Sequence, residues 1–330
     1  MLTYTARRMA LTLPLLVGVI FLTFLLMNVI PGNPFSGMLV QKQDPAVVAR
    51  LMESFGLNDP VHVRFWRYLT GILHGDLGVS LSQNRPVADI LAEVFPNTCK
   101  LALSASLLTW IFGISAGIGA ALLHGRFSDR AITAFAVFGI STPTFCCAVL
   151  LQYFLAYRLK WFPVSGFFRL EHLVLPSLVL GWYGAGSVVR LVRSSMLDAM
   201  NADFIRTANM KGLGRTRIVL RHALKNALPP VVNLLAMQSA SLFGGAVITE
   251  SMFSIPGLGS LSLNALVSRD MPLLQGAILL STSVVILGNL VADLLCAAID
   301  PRVWGVSSFA GCFASGSSGA GGRSSSRFFQ

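Results

Sequence analysis

Positive charge is concentrated in one short segment of the chain, residues 201–230. This segment holds six Lys and Arg side chains and a single carboxylate: Arg206, Lys211, Arg215, Arg217, Arg221, Lys225 and Asp203. The last three cations stand at positions i, i+4 and i+8 and so share one face of a predicted helix. Like charges at this spacing destabilise a helix unless an anionic group lies opposite. The segment therefore predicts recognition of an anionic partner, either lipid headgroups or an acidic protein surface, with a solvated connector as the alternative.

The sequence lacks two common markers of nucleotide and metal chemistry. It contains no Gly-x-x-x-x-Gly-Lys-Ser/Thr phosphate loop and no His-Glu-x-x-His pair. Its five histidines are scattered too widely to form a metal set: His62, His74, His124, His172 and His222. Its five cysteines lack paired metal spacing, and most lie in or beside apolar stretches, which indicates small hydrophobic side chains. We therefore expect no catalytic site, metal or cofactor in this chain, and transport against a gradient would draw its energy from a partner or an ion gradient.

The composition is typical of a membrane protein. Of the 330 residues, 54% are hydrophobic and 12% are charged, and the mean hydropathy is +0.69. Soluble domains average about 45–50% apolar and about 25% charged residues. The net charge of +11 would suit a nucleic acid, but the basic segments lack the interleaved aromatic residues of such a site. Excess Lys and Arg on one side of a membrane account for the charge instead, so we expect lipid, and no nucleic acid, as a partner.

Six apolar stretches approach the length of about 20 residues that a membrane-spanning helix needs. They are residues 9–30, 101–123, 131–157, 173–189, 231–248 and 272–298. The predicted fold class is therefore an all-α membrane protein with six transmembrane helices. The first stretch is too long for a signal peptide and lacks a small-residue cleavage site, so we expect it to be retained. The distribution of Lys and Arg places both termini in the cytoplasm, together with the basic segment between the fourth and fifth spans.

Two regions outside the spans have a different character. Residues 31–98 are polar and rich in turn signals, and Val87, Ile90, Leu91 and Val94 fit one face of a helix. We expect this external region to form short helices at the outer mouth of the bundle. The predicted organisation is a first helix in residues 1–30, an external region in 31–98, a five-helix core in 99–304 with a cytoplasmic loop at 196–228, and a Ser/Gly tail in 305–330. The tail buries too little apolar surface to become ordered.

Three features inside the spans suggest packing or functional roles. Gly113 and Gly117 allow close helix packing, either static or as a sliding surface for a gate, and static packing is favoured. Pro143 should kink or break the third span and free carbonyl groups for a pathway. Asp293, near the inner end of the last span, is either a proton relay or a paired or water-reached carboxylate. One acid without a second buried acid, His or Lys makes a poor relay, which favours the second role.

At the basic segment the sequence resembles the permease subunits of binding-protein-dependent ABC importers, in their dipeptide, oligopeptide and nickel branch. The family's cytoplasmic coupling loop corresponds to Arg206-Thr207-Ala208, Gly212, His222 and Leu224. Arg206 replaces the leading Glu of the general motif and Lys225 its closing Pro, both of which are common departures in the peptide branch. Matching stretches extend over nearly the whole chain and end near Trp304: Pro31-Gly32-Asn33-Pro34, Gly56-Leu57-Asn58-Asp59-Pro60, His74-Gly75-Asp76-Leu77-Gly78, Arg193-Ser194-Ser195-Met196-Leu197, Thr249-Glu250, Pro256-Gly257-Leu258-Gly259, Arg269-Asp270 and Asp300-Pro301-Arg302.

The resemblance implies alternating access in a bacterial cytoplasmic membrane. The implied partners are a second homologous permease, two ATP-binding subunits below and an extracytoplasmic substrate-binding protein above. The residues that it places in contact with the ATP-binding subunit are Asp203, Arg206, Thr207, Ala208, Lys211, Gly212 and His222. The residues that it places beside the outer gate are Glu250, Phe253, Pro256, Gly257 and Gly259, and the Pro-Gly-Leu-Gly sequence among them independently favours a tight turn.

Short peptides are the leading predicted substrate, with nickel or a metal chelate as the close alternative within the branch. An ion-coupled secondary transporter is an alternative from another class, and it predicts that Asp293→Asn abolishes transport without any ATPase. A receptor or scaffold is the third, and it predicts no movement of substrate.

Overall fold

The computed structural model describes residues 2–29 and 59–299, with side chains for residues 10–25 and 59–294. Within these ranges the chain is helical and has no strand; one isolated bridge pairs Val79 with Pro86. The predicted turns at residues 31–34 and 56–58, the Asp300-Pro301-Arg302 motif and the Ser/Gly tail lie outside the described residues. The prediction of an all-α chain is confirmed for the part that is described.

The helices follow one another along the chain with short connections. Their bounds are α1 Leu2–Val29, α2 Val61–Leu73, α3 Val87–Leu122, α4 Phe127–Ser141, α5 Thr144–Leu151, π1 Gln152–Arg158, α6 Glu171–Asn201, α7 Asp203–Met210, α8 Arg215–Arg217, π2 Ile218–Ala223, α9 Leu224–Phe243, α10 Val247–Met252, α11 Leu258–Val267 and α12 Met271–Ile299. The segments π1 and π2 are π-helical continuations of α5 and α8.

Three described helices are long and apolar enough to cross a membrane, namely α3, α6 and α12. The pair formed by α4 and the α5–π1 helix makes a fourth span if the two halves are counted together. They are bent by 104° at the break between Ser141 and Thr144. Pro143, where the sequence predicts a kink, stands directly before α5, and its carbonyl accepts hydrogen bonds from the N–H groups of Cys146 and Cys147.

The helix α3 differs from the predicted second span, because it begins at Val87 rather than near residue 101. Val87, Ile90 and Leu91 are buried in a cluster with residues of α11 and α12, including Leu258 and Leu273. This burial stabilises the first turns of α3, which continue through Pro96 as one helix. The apolar face predicted for this region is therefore the outer end of a membrane helix rather than a separate short helix.

The largest helix–helix interface joins α3 and α6. A Cβ at Gly113 would lie 2.7 Å from the Cβ of Val188, and one at Gly117 would lie 2.6 Å from the Cβ of Val192. The hydroxyl groups of Ser104 and Ser177 add a hydrogen bond of 2.6 Å across the same interface. The backbones approach so closely because small residues leave no side chain between them, as is typical of helices packed in a bilayer.

Candidate functional site

The predicted coupling segment forms α7, and only Ala202 separates it from the end of α6. Ile205 and Ala208 of α7 are buried, in a cluster that includes Met196 of α6 and Val219 of π2. Spacing of three residues places these two side chains on one face of the helix. The sequence suggested Phe204 rather than Ile205 beside Ala208, but Phe204 is exposed because it lies about 100° around the helix from its neighbour.

The remaining side chains of α7 face away from the bundle. Asp203, Arg206, Thr207 and Lys211 are exposed, and Met210 is 81% exposed. Phe204 adds a second apolar group to this surface at 42% exposure. Apolar and cationic groups therefore alternate on a short helix whose opposite face is fixed to the membrane helices. We call the exposed residues of 203–211 the α7 face.

The α7 helix ends at a glycine in the left-handed conformation. Gly212 has φ +70°, its N–H donates to the carbonyl of Asn209, and the N–H of Leu213 donates to the carbonyl of Ala208. A side chain at Gly212 would meet no atom within 4 Å. The requirement for glycine is therefore conformational, because L-residues with a Cβ disfavour this region.

The basic run after Gly212 continues through α8 and π2 into α9. Arg217, Arg221 and Lys225 are exposed along this run, and His222 is half-buried. Ile218, Val219 and Ala223 of π2 are buried against the same cluster as α7. A π-helix has i→i+5 hydrogen bonds and so departs from the α-helical period that the sequence reading assumed for the three cations.

Glu250 is the centre of a buried network in the predicted outer loop. Its side chain is fully buried, and its carboxylate accepts hydrogen bonds from the Thr98 hydroxyl at 2.9 Å, the Gly259 N–H at 2.8 Å and the Ser260 N–H at 3.0 Å. The Thr98 hydroxyl oxygen also accepts the Leu258 N–H at 2.7 Å. The network thus joins α3, α10 and the first turn of α11. A carboxylate at a helix N-terminus is stabilised by the free N–H groups there.

The glycines of this loop are required by space rather than by backbone conformation. A Cβ at Gly257 would lie 2.5 Å from the Glu250 carboxyl carbon, and one at Gly259 would lie 2.7 Å from the Cα of Val247. Phe253 is buried, whereas Pro256 is exposed and its carbonyl accepts a hydrogen bond from the Asn97 side chain. All five residues predicted at the outer gate therefore lie in one loop between α9 and α12, packed around the outer part of α3.

A second buried carboxylate, Asp270, connects the start of α12 to the segment before α3. It accepts hydrogen bonds from the Ser80 hydroxyl and the Ser82 hydroxyl, both at 2.6 Å, and from the Leu273 N–H at 3.2 Å. Burial raises the pKa of Asp270, but the hydrogen bonds from Ser80 and Ser82 outweigh it and hold the pKa below its ordinary value. The sequence analysis missed this site; an Asp directly before an apolar helix is a helix-start signal that could have found it.

A third buried carboxylate joins the first turn of α4 to α6. Asp129 accepts hydrogen bonds from Nε of Arg193 at 2.6 Å and from its Nη2 at 2.8 Å, as well as from the Gly125 N–H at 3.1 Å. The His124 ring lies 3.4 Å from the same carboxylate. This pair was also missed, because residues 64 positions apart in the chain leave no local pattern.

The other predicted features lie apart from these sites. Asp293 is half-buried on α12 and has an interaction partner. The spacing Gly-x-Ser-x-Gly does occur, at Gly113-Ile114-Ser115-Ala116-Gly117. A nucleophile elbow needs a strand-to-helix turn, whereas this stretch lies inside α3 and Ser115 donates to the Ile111 carbonyl. Among residues 10–25 and 59–294, no group of three His, Cys, Asp or Glu side chains is arranged to hold a metal.

Two family models match the chain. Residues 113–305 match the binding-protein-dependent transport system inner membrane component, and residues 1–102 match the N-terminal part of membrane components of such systems. The chain belongs to this family. It is the permease subunit of an ABC importer in the dipeptide and oligopeptide branch, as the sequence motifs predicted.

Similar proteins are known in enteric bacteria. The glutathione transport system permease protein GsiC of Salmonella paratyphi A is 39% identical over 303 residues, which cover 92% of this chain and 99% of that protein. GsiC of Escherichia coli K12 is 38% identical with the same coverage. Among solved structures, the inward-facing MetNI methionine ABC transporter contains a chain with TM-score 0.55 and 17% identity, covering 64% of this permease and 96% of that chain. This last likeness supports the permease fold.

Glu250→Gln tests the buried network of the outer loop. The substitution preserves size but replaces one acceptor oxygen with a donor, so at least one of the three donors loses its acceptor. An unsatisfied buried donor costs about 1–3 kcal/mol. We expect faster hydrogen–deuterium exchange at the start of α11 in the purified permease assembly. Ser268→Ala is the control, because that exposed hydroxyl donates within its own helix. Unchanged exchange in Glu250→Gln would contradict a structural role for the carboxylate.

Acid should release the segment that Asp270 holds. Because the folded-state pKa lies below the unfolded value of about 3.9, the stabilisation is fully present above about pH 4 and is lost as the pH falls through the folded-state value. We expect exchange at residues 80–82 to be flat from pH 7 to about pH 5 and to rise steeply below about pH 4. Asp270→Asn should abolish that rise. The control Asp76→Asn, at an exposed carboxylate, should keep the wild-type profile.

Proposed function

We propose that this permease forms one half of a translocation pathway for short peptides of the chemical class of glutathione. The observation that carries the proposal is the 39% identity to a glutathione permease over 92% of the chain. The separation of an inner docking surface from an outer loop also supports it, because a pathway opened alternately to either side needs both.

The proposed topology has six spans and cytoplasmic termini. To α3, α6, α12 and the bent pair it adds α1, whose residues Ala10–Leu25 form an apolar helix, and α9, of 20 residues. The basic residues of α7, α8 and π2 then lie on the cytoplasmic side, as the positive-inside rule requires. The outer loop around Glu250 lies on the opposite side. The location follows as a bacterial cytoplasmic membrane.

The proposed partners are a second homologous permease, two ATP-binding subunits and an extracytoplasmic substrate-binding protein. The α7 face supplies the contact with the ATP-binding subunit: Phe204 and Met210 offer apolar anchors, while Arg206 and Lys211 suit an acidic rim. Exposed apolar side chains on a helix fixed from behind are typical of docking surfaces. His222, half-buried in π2, lies behind this surface rather than on it. ATP hydrolysis takes place in the partner subunits, and this chain binds no cofactor.

Uptake in cells that lack this chain tests the substrate. We expect deletion to abolish uptake of labelled glutathione or of a labelled dipeptide, and the wild-type chain to restore it. Nickel uptake, measured in the same cells, should be unchanged. Loss of nickel uptake alone would refute the peptide assignment, and normal uptake of all three would refute both. A variant of the partner ATPase that cannot hydrolyse ATP should reproduce the deletion, which separates an ABC importer from an ion-coupled transporter.

Gly212→Leu tests the α7 face as the coupling element. A residue with a Cβ in the left-handed conformation costs roughly 1–2 kcal/mol, so the end of α7 should be displaced. We expect reduced uptake, reduced copurification of the ATP-binding subunit, or both. Gly214→Leu is a matched control, because Gly214 has φ −61° and likewise meets no atom within 4 Å. Equal behaviour of the two variants at wild-type level would refute the role of this turn.

A further inference from the structure

A groove runs along the side of the bundle between α4 and α6. Its volume is about 690 Å³, within the range of roughly 300–1,000 Å³ that is typical of small-molecule sites. Its walls are largely apolar and its polar groups gather at one end, next to the α3–α4 turn. The lining includes Arg130, Ala134, Val137, Phe138, Ser141 and Arg193.

The polar end of the groove carries an excess of positive charge. Arg193 neutralises Asp129 through Nε and Nη2, and among the described residues its Nη1 group has no acceptor. Arg130 is exposed, one residue after Asp129, and forms no ion pair with any described residue. Arg126, also exposed, stands directly before α4. A phosphate at this end would therefore meet free guanidinium N–H groups, the donors best suited to phosphate oxygens.

The length of the groove matches one leaflet of a bilayer. From Arg130 to Ser141, α4 rises about 1.5 Å per residue, which gives roughly 17 Å, about half of the hydrocarbon core of about 30 Å. The groove ends where α4 ends, at the break before Pro143. Its walls expose apolar surface, since Val137 is 41% exposed and Phe138 is 59% exposed. Cations at the headgroup end and an apolar channel one leaflet deep are the outline of a single phospholipid.

We propose that this groove binds one anionic phospholipid of the cytoplasmic leaflet. The phosphate lies against Arg130 and Arg193, and an acyl chain lies along Ala134, Val137 and Phe138. The proposal rests on the proposed topology, which places the α3–α4 turn in the cytoplasm. Anionic lipids of that leaflet are attracted to basic residues at the ends of membrane helices. The site has no part in ATPase docking and is separate from the α7 face.

Native mass spectrometry of the purified, assembled importer can test the site. Phosphatidylglycerol and phosphatidylcholine with identical acyl chains are added to the wild type, to Arg130→Gln and to Arg215→Gln, a control at an exposed arginine outside the groove. We expect one tightly retained phosphatidylglycerol in the wild type and in the control. Its affinity should fall about fivefold in Arg130→Gln, the factor for the loss of about 1 kcal/mol from one cation near an anionic membrane surface.

Val137→Trp tests the apolar wall independently, since it fills the groove without changing charge. It should remove the retained lipid, whereas Val149→Trp, at an exposed valine of α5 outside the groove, should not. Wild-type affinity in both Arg130→Gln and Val137→Trp would overturn the proposal, as would equal retention of phosphatidylcholine. A disulfide cross-link from Val137→Cys to the second permease would also overturn it, by showing a subunit interface.

Labelling of Arg130→Cys separates failure of the lipid site from failure of the topology. Modification by a membrane-impermeant thiol reagent only from the cytoplasmic side is the expected result. Modification from the outer side would overturn the topology and the site together. Correct labelling combined with unchanged lipid binding would overturn the lipid site alone.

Discussion

The close approach of α3 and α6 is the constraint on which the rest of the bundle depends. Lipid tails are as apolar as the helix surfaces, so hydrophobic burial does not hold two membrane helices together, and packing and interhelical hydrogen bonds must do so. Gly113 and Gly117 place the α3 backbone directly against Val188 and Val192 of α6. Because these are the two longest described helices, their contact supplies a long frame. The helix α4 joins this frame through Gly186, where a Cβ would lie 2.5 Å from the Ala136 carbonyl oxygen.

The same two helices carry the functional surfaces at opposite ends of the bundle. At one end α6 runs almost directly into α7, and Met196 of α6 packs in the cluster that buries Ile205. At the other end Thr98 of α3 is bound to Glu250 and to the first turn of α11. The inner docking surface and the outer loop are therefore attached to one tightly packed pair rather than to separate elements. This arrangement gives a force on α7 a continuous packed route to the outer loop.

The features that the sequence predicted are those set by local chemistry. Pro143 removes a backbone donor and Gly212 adopts a positive φ, so the break and the helix stop could be read from single residues. The early start of α3 could not, because Pro96 and the polar composition around it conceal a helix that is stabilised by burial of Val87 against distant parts of the chain. The partners of Asp129 and Asp270 were equally hidden, since pairings across 64 and 190 positions leave no periodic signal. For Glu250, the sequence gave the neighbourhood but not its burial.

All three buried carboxylates lie at the starts of helices. Asp129 accepts the Gly125 N–H at the start of α4, Glu250 accepts two N–H groups of α11, and Asp270 accepts the Leu273 N–H of α12. A buried charge in a membrane protein usually suggests a relay or a substrate contact. Here each one instead meets free N–H groups, the positive end of a helix dipole and at least one side-chain donor, which together offset the cost of burial. These acids therefore fix the entry of a chain segment into the bundle, and moving any of these helices as a lever would require its carboxylate and donors to move with it or separate.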